Sequence, residues 1–312
     1  MILTGDPPPP KLPARHAPCR ERSAEGTGMT FARKNLDVQF QLANGQFDGG
    51  GNSAYLKGHR VSVVIEQPGS PDQAKAAIAI FGLPLSMMNQ LTILPSQLNH
   101  VGQNYVTVLA YEEGTSPSTV FKGTIMAAYV DARVQPDVGF RVEALAGLYT
   151  AVAPAKPTSV RGSADVAQTF EMIVKASGYR FENNDVNCKV QNPYLPGDAN
   201  SQMRSLAEAA GIEWVIDRDT VAIWPRGKSR QGAATKVSPD TGMRGYPAFT
   251  SSGVEVTTLY NPTLQYGGTI EVESQLKPAC GKWNINNLAH ELESELPKGK
   301  WFTTISASKI AV

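Results

Sequence analysis

The chain has no apolar run approaching the roughly 18 residues that a membrane-spanning helix requires. Its nearest approach, Ala74 to Leu85, has Asp72 and Lys75 at its start and Pro84 near its end. Cysteine is scarce: Cys19, Cys188 and Cys280 are far apart, odd in number and without a Cys-x-x-Cys pair. That pattern favours reduced, buried thiols over a disulfide framework or a zinc site. The four histidines show no ligand spacing, and the net charge of +1 gives no global electrostatic case for nucleic acid or an anionic membrane. Gly-x-Ser-x-Gly, His-Glu-x-x-His and the Walker loop are all missing. No catalytic, cofactor-binding or metal-binding residue stands out, so the sequence reads as a protein that is not an enzyme.

Weaker chemical signals have plainer readings. Gly49-Gly50-Gly51 lacks a following lysine and helix, and reads as a loop tip. Asp217-x-Asp219 carries a fragment of a calcium-loop spacing without its glycine or closing glutamate, and reads as a hairpin turn. Arg226-Gly-Lys-Ser-Arg230 reads as a solvated basic loop. Trp214, Trp224, Trp283 and Trp301 all fall inside strand patterns, where core packing is the default.

At 312 residues the chain can hold more than one core. Residues 1–28, with Pro7 to Pro10 and almost no aliphatic side chains, read as a disordered tail or a misassigned start, and Met29 opens a more conventional beginning. From 29 to 149 short alternating segments predict a β domain of barrel or sandwich type: Leu36 to Leu42, Val61 to Ile65, Tyr105 to Tyr111, Val120 to Val130 and Gly139 to Ala146. Ala74 to Phe81 fits either a helix or a strand. Thr150 to Thr158 reads as a linker. The period then changes to helical, with Ser163 as cap for a helix carrying Val166, Phe170 and Ile173, and Ser201 as cap for one carrying Met203 and Leu206. Gly178 and Gly211 stop these helices, and a hairpin of Trp214 to Ile216 and Val221 to Trp224 follows. Residues 158–226 thus form a small α+β domain, expected to hold its fold in isolation. Pro225 to Gly245 reads as a second linker or exposed loop, and strands return at Val254, at Leu264 to Tyr266 and at Ile270 to Val272. The fold class is mainly β with an α+β insert, and the β regions on either side, 29–149 and 227–312, are placed to share a sheet.

The last thirty residues carry the most information. Trp283 and Ile285 alternate with polar residues, and so do Leu288, His290 and Leu292, but the phase shifts by one at Asn286-Asn287. A β-bulge does this. Pro297-Lys-Gly-Lys reverses the chain, and Trp301, Thr303 and Ile305 resume the alternation. Glu291, Glu293 and Glu295 line one face. As paired carboxylates they admit a glycosidase reading, but such pairs face each other across a bond and usually come from different strands, so a solvated or interface row is the simpler account. His290, on the apolar phase, reads as a hydrogen-bonded core or interface histidine.

This string, from the tryptophan strand through His-x-Leu-Glu-x-Glu and Pro-x-Gly to Trp-Phe-Thr, resembles the C-terminal signature of baseplate hub proteins of contractile-tailed phages. Gly211 to Pro225, Phe81-Gly-Leu83 and Met88-Asn-Gln-Leu91 resemble the same family, and the likeness spans most of 29–312. The resemblance implies a homotrimer whose protomers each supply two tube-like β-barrel regions flanking the α+β domain, six barrels making a pseudo-sixfold ring. It implies as partners the tail tube protein, the central spike protein, and tape-measure and baseplate wedge proteins. It further implies a virion protein of the tail baseplate, assembled in the host cytoplasm. Two other classes stay open: a tail-associated cell-wall hydrolase or carbohydrate-binding protein using the glutamate row and exposed tryptophans, and a secretion-system spike-like protein built on the same barrels.

Overall fold

The computed structural model describes residues 32–43, 47, 50–69, 72–92, 104–133 and 138–309. The readings of residues 1–28 and of Cys19 lie outside them.

The first β region contains β1 (Lys34–Gln41), β2 (Ser53–Leu56), β3 (Arg60–Gln67), β4 (Lys75–Phe81), α1 (Leu85–Leu91), β5 (Tyr105–Glu112), β6 (Ser118–Asp131) and β7 (Gly139–Leu145). Ala74 to Phe81 resolves as a strand, because alternate side chains Ala76, Ile78 and Ile80 are buried. The middle contains α2 (Leu148–Val152), β8 (Thr158–Ser159), β9 (Ser163–Asp165), α3 (Val166–Ala176), β10 (Arg180–Asn183), β11 (Lys189–Gln191), β12 (Tyr194–Leu195), α4 (Ala199–Ala210), β13 (Ile212–Asp217) and β14 (Thr220–Pro225). The last region contains β15 (Thr235–Val237), β16 (Met243–Thr250), β17 (Gly253–Leu259), β18 (Thr269–Val272), β19 (Gly281–Ser294) and β20 (Trp301–Lys309).

The two β regions do share a sheet. Its order is β16-β17-β20-β19-β3-β4-β7-β6-β5-β1-β2, with β18 also on β19 and β15 on β18. The joint is β19. Its first residues, Gly281 to Asn284, pair with β18, while Leu288 to Ser294 pair antiparallel with β3, more than 200 positions away in sequence. The bulge lies where the alternation predicts it, between Ile285 and Asn287 against β20. One strand thus serves two sheet segments, pairing with β18 before the bulge and with β3 after it. Among the described residues the ladder leaves β2 and β16 as its ends, so neither β region closes into a barrel through its own hydrogen bonds. β1 nevertheless reaches the closing hairpin, where Arg33 pairs with Glu295 at 2.5 Å and Lys34 Nζ lies 5.9 Å from the Trp301 ring centroid.

The hairpin also spans two cores. Leu292 and Trp301 belong to a cluster containing Phe40, Phe121 and Phe140, whereas Trp283, Ile285, Leu288 and Ile305 pack with Val254, Val256 and Ile270. The first cluster runs without a break into the middle region through Val166, Phe170, Met203 and Trp214. Residues 158–226 thus share apolar packing with the first β region, beside a small separate cluster of Val215, Ala222 and Trp224.

Local corrections have simple causes. Ser163 lies in β9; α3 is capped by Asp165, whose carboxylate accepts from Gln168 N–H at 3.0 Å. Likewise Asp198 caps α4, and Ser201 at the third helical position donates its hydroxyl to Asp198 Oδ2 at 2.6 Å. Gly211 ends that helix at φ 65°, as read. The supposed linkers hold structure: α2 occupies the start of 150–158, and β15, a 3-10 turn and the start of β16 lie within 225–245. Leu264 to Tyr266 is a turn region rather than a strand. Tyr266 seats where glycine makes room: a Cβ on Gly69 (φ +83°) would lie 2.0 Å from its ring, and one on Gly267 (φ +76°) 2.7 Å from Trp224.

Candidate assembly interface

One face of the sheet is polar across six adjacent strands, β17, β20, β19, β3, β4 and β7. Directly opposed residues share a face, so the registers define rows. One row reads Thr257, Thr304, Ala289, Glu66, Lys75, Leu145. The next reads Leu259, Phe302, Glu291, Val64, Ala77, Glu143. Small residues and charges dominate, and several charges are neutralised within the face: Lys75 Nζ lies 2.9 Å from Glu66, and Lys300 Nζ 2.6 Å from Glu291. The large apolar side chains are Phe302 and Leu259 toward one margin, where the Arg244 guanidinium stacks 4.7 Å from the Phe302 ring centroid, Val64 in the middle of the face and Leu145 at the other margin.

Glu291 and Glu293 lie on this face of β19, but the strand ends at Ser294, and Glu295 turns away at φ 55°. The row is thus two residues long, not three. Glu293 accepts from the Lys300 N–H at 2.9 Å and from the Ser62 hydroxyl at 3.4 Å, and Glu295 is bound by Arg33. Each carboxylate has its own donor. All four tryptophans are buried, at 7% exposure or less, which removes the exposed tryptophans that the carbohydrate-binding reading used.

His290 is buried on the core side, as its phase predicts. Nδ1 lies 2.9 Å from the Thr303 hydroxyl, and the ring meets Tyr260 edge-on at 5.5 Å, which meets Trp301 at 5.9 Å. Burial, and secondly the nearby Arg218 charge, push its pKa down from 6.5 to about 3. Between these values the unfolded chain binds a proton that the folded chain refuses, so stability falls as pH drops from 6.5 toward 3. The slope is at most about 1.4 kcal/mol per pH unit. Urea unfolding at pH 7.0, 6.0 and 5.0 will show this loss (about 7, 6 and 5 bracket the histidine window ahead of most carboxylates). His290→Gln will flatten it. An unchanged slope in the variant would assign the loss to other groups.

Sequence reasoning missed a second buried node. Arg230, read as part of a solvated loop, is 6% exposed. Its guanidinium makes a two-pronged contact with Glu182 at 2.8 and 3.2 Å and donates to Asp217 Oδ2 at 3.2 Å and to the Tyr266 carbonyl at 3.3 Å. Burial pushes the Glu182 carboxyl up, and Arg230 with Asn184 more than offsets this, leaving it below its ordinary value. Asp217 thus has a guanidinium partner at the end of β13. A hint existed in sequence: Asp217 directly follows the apolar run Trp214 to Ile216, so its charge required a partner. A further pair of tyrosines, Tyr55 and Tyr111, hydrogen-bonds the buried Asp37 at 2.6 and 3.4 Å, and that bond pushes Tyr55 up to about 12.

Cys188 and Cys280 are free and only partly buried. Among the described residues no three His, Cys, Asp or Glu side chains are grouped to hold a metal, and no helix is long and apolar enough to cross a membrane. A surface groove beside α3 is lined by Tyr149, Pro154, Pro157, Met172, Ile173 and Gln202, with no carboxylate, imidazole or thiol in its wall.

Similarity carries the identification. The model of the family described as baseplate hub gp41 matches residues 36–306. The chain belongs to this baseplate hub family. The match covers both β regions and the α+β insert. Among solved structures, the chain resembles the 43 kDa tail protein of prophage MuSo2 from Shewanella oneidensis at 11% identity and a TM-score of 0.57, over 89% of this chain and 97% of that one. A tail protein from Neisseria meningitidis gives 8% identity and a TM-score of 0.57, over 88% and 96%. A component of the Escherichia coli type VI secretion system, itself described as structurally similar to T4 bacteriophage tail proteins gp27 and gp5, gives 12% and 0.55, over 81% and 74%. At such identities these likenesses establish a shared fold. No curated protein sequence matches the chain.

Proposed function

We propose that the chain is a non-enzymatic, trimeric baseplate hub of a phage tail, joining a hexameric tail tube to a trimeric central spike. Family membership supports the setting, and one observation carries the finer reading: a face continuous over six strands on which charged and small residues outnumber large apolar ones, on a sheet that does not close on itself among the described residues. Three copies arranged about an axis turn this face toward a central channel, where cargo passes without adhering. The two β regions of each protomer then act as the six barrel-like segments of a pseudo-sixfold ring, matching a sixfold tube on one side and a threefold spike on the other. Assembly covers the edge of β2 that no strand among the described residues pairs with. Tape-measure and baseplate wedge proteins are the remaining partners, and the assembled protein resides in the virion. Type VI spike-like proteins share the fold, and neighbouring tail-tube or secretion-sheath genes separate the two settings. Light scattering on the purified chain, alone and with tube and spike proteins, tests the reading: trimers are expected, and a monomer under every condition overturns it.

A further inference from the structure

The second core is open at one end. Phe249 on β16 is in register with Val254, which faces Ala307, which faces Ile285. Those three are 0 to 2% exposed, yet Phe249, on the same side of the sheet, is 58% exposed. Tyr246, whose hydroxyl bonds Gln275 Oε1 at 3.1 Å, is 64% exposed, and Leu276 beside it is 39% exposed. An apolar residue standing in a core row without cover among the described residues marks a docking surface rather than an ordinary exposed side chain.

Three features define what covers it. The strand cannot be extended as a regular ladder, because the β16–β17 register breaks between Arg244 and Ala248 and Pro247 has no N–H to donate. Contact must be made by side chains. The area is small: two aromatic rings and a leucine at these exposures present on the order of 300 Å², against about 800 Å² per partner in a stable protein–protein interface. This suits a short segment better than a second copy of the chain. The charge is one-sided: Lys309 lies on the Phe249 side of the sheet by alternation from Ala307, Lys277 follows Leu276, and neither has an ion-pair partner among the described residues. The carboxylate in register with this part of β16, Glu255 opposite Ala248, points to the other face.

We infer that the β16 margin, formed by Tyr246, Phe249 and Leu276 with Lys277 and Lys309 at its rim, binds a short apolar segment of a partner protein flanked by carboxylates. This surface lies outside the polar face on which the hub reading rests. The test uses the full chain and two synthetic peptides with the same alternating phenylalanine–leucine centre, one flanked by glutamates and one by lysines, read by fluorescence anisotropy. The glutamate peptide binds saturably below about 1 mM, and the lysine peptide binds at least tenfold more weakly. Phe249→Ser weakens binding at least tenfold with an unchanged melting temperature, and Lys277→Glu with Lys309→Glu inverts the preference between peptides. Equal binding of the two peptides, no binding of either, or indifference to Phe249→Ser overturns the inference. Concentration-dependent self-association abolished by Phe249→Ser, without competition from the peptide, overturns it in favour of a second copy. Trimer formation by Phe249→Ser is read separately by light scattering, so failure here leaves the hub assignment standing.

Discussion

Trp301→Ala will lower the free energy of unfolding by about 3 to 5 kcal/mol, the usual cost of emptying a buried tryptophan site. Trp301 is 5% exposed in the larger core, and Tyr260 packs on it edge-on while its own N–H donates to the Trp301 carbonyl at 3.1 Å. Lys34 of β1 covers its other side. The void would open where β1, the 260 loop and the closing hairpin meet, three segments that cannot collapse together without shifting the β19–β3 ladder. Both β regions are therefore expected to loosen, and the proposed trimer with them. Urea unfolding of wild type and variant, followed by sizing, checks this. Unchanged melting with unchanged trimers would show that Trp301 does not hold the joint.

Arg230→Ala is expected to cost about 3 to 5 kcal/mol, because removing one partner leaves buried charge uncompensated. Asp217, 6% exposed, keeps only Arg218 Nε at 3.5 Å, an ion pair without a hydrogen bond. Glu182 is 38% exposed at its side chain and recovers part of its loss from water. The effect should therefore centre on Asp217. The double variant Arg230→Met, Asp217→Leu is predicted to recover more than half of the loss, since an apolar pair replaces a charged one at little net cost. A double variant no better than Arg230→Ala would locate the effect in Glu182 or in the lost contact to the Tyr266 carbonyl instead.

Much of the local structure was legible because it obeys short-range rules. The bulge beside Asn286 appears in sequence as a phase slip, since a period of two cannot absorb an extra residue silently. The hairpin at 217–220 and the helix stop at Gly211 are similarly local. The caps were misassigned because aspartate and serine both accept from backbone N–H groups, and with Asp198 and Ser201 three positions apart only the start of the helix decides between them. The pairing of β3 with β19 leaves no short-range trace; the alternation in both strands states which face is buried and not which strand lies alongside. The same limit concealed the continuity of the core through Phe170 and Trp214 into the first β region. Arg230 was misread because a charge count is indifferent to burial: three cations in five residues look solvated until Glu182 and Asp217 arrive from elsewhere. The candidate site was least legible. The polar face is assembled from alternate residues of six strands, and only Glu291 and Glu293 pointed toward it.

The central claim is that this face lines the channel of an assembled hub. A cryo-EM map of the assembled tail tip tests it most directly. The account predicts Thr304, Ala289, Glu66 and Lys75 on the channel wall, three times around the axis, with Glu291 and Glu293 beside them. A map in which that row faces the particle exterior, or is buried between protomers away from the axis, would contradict it.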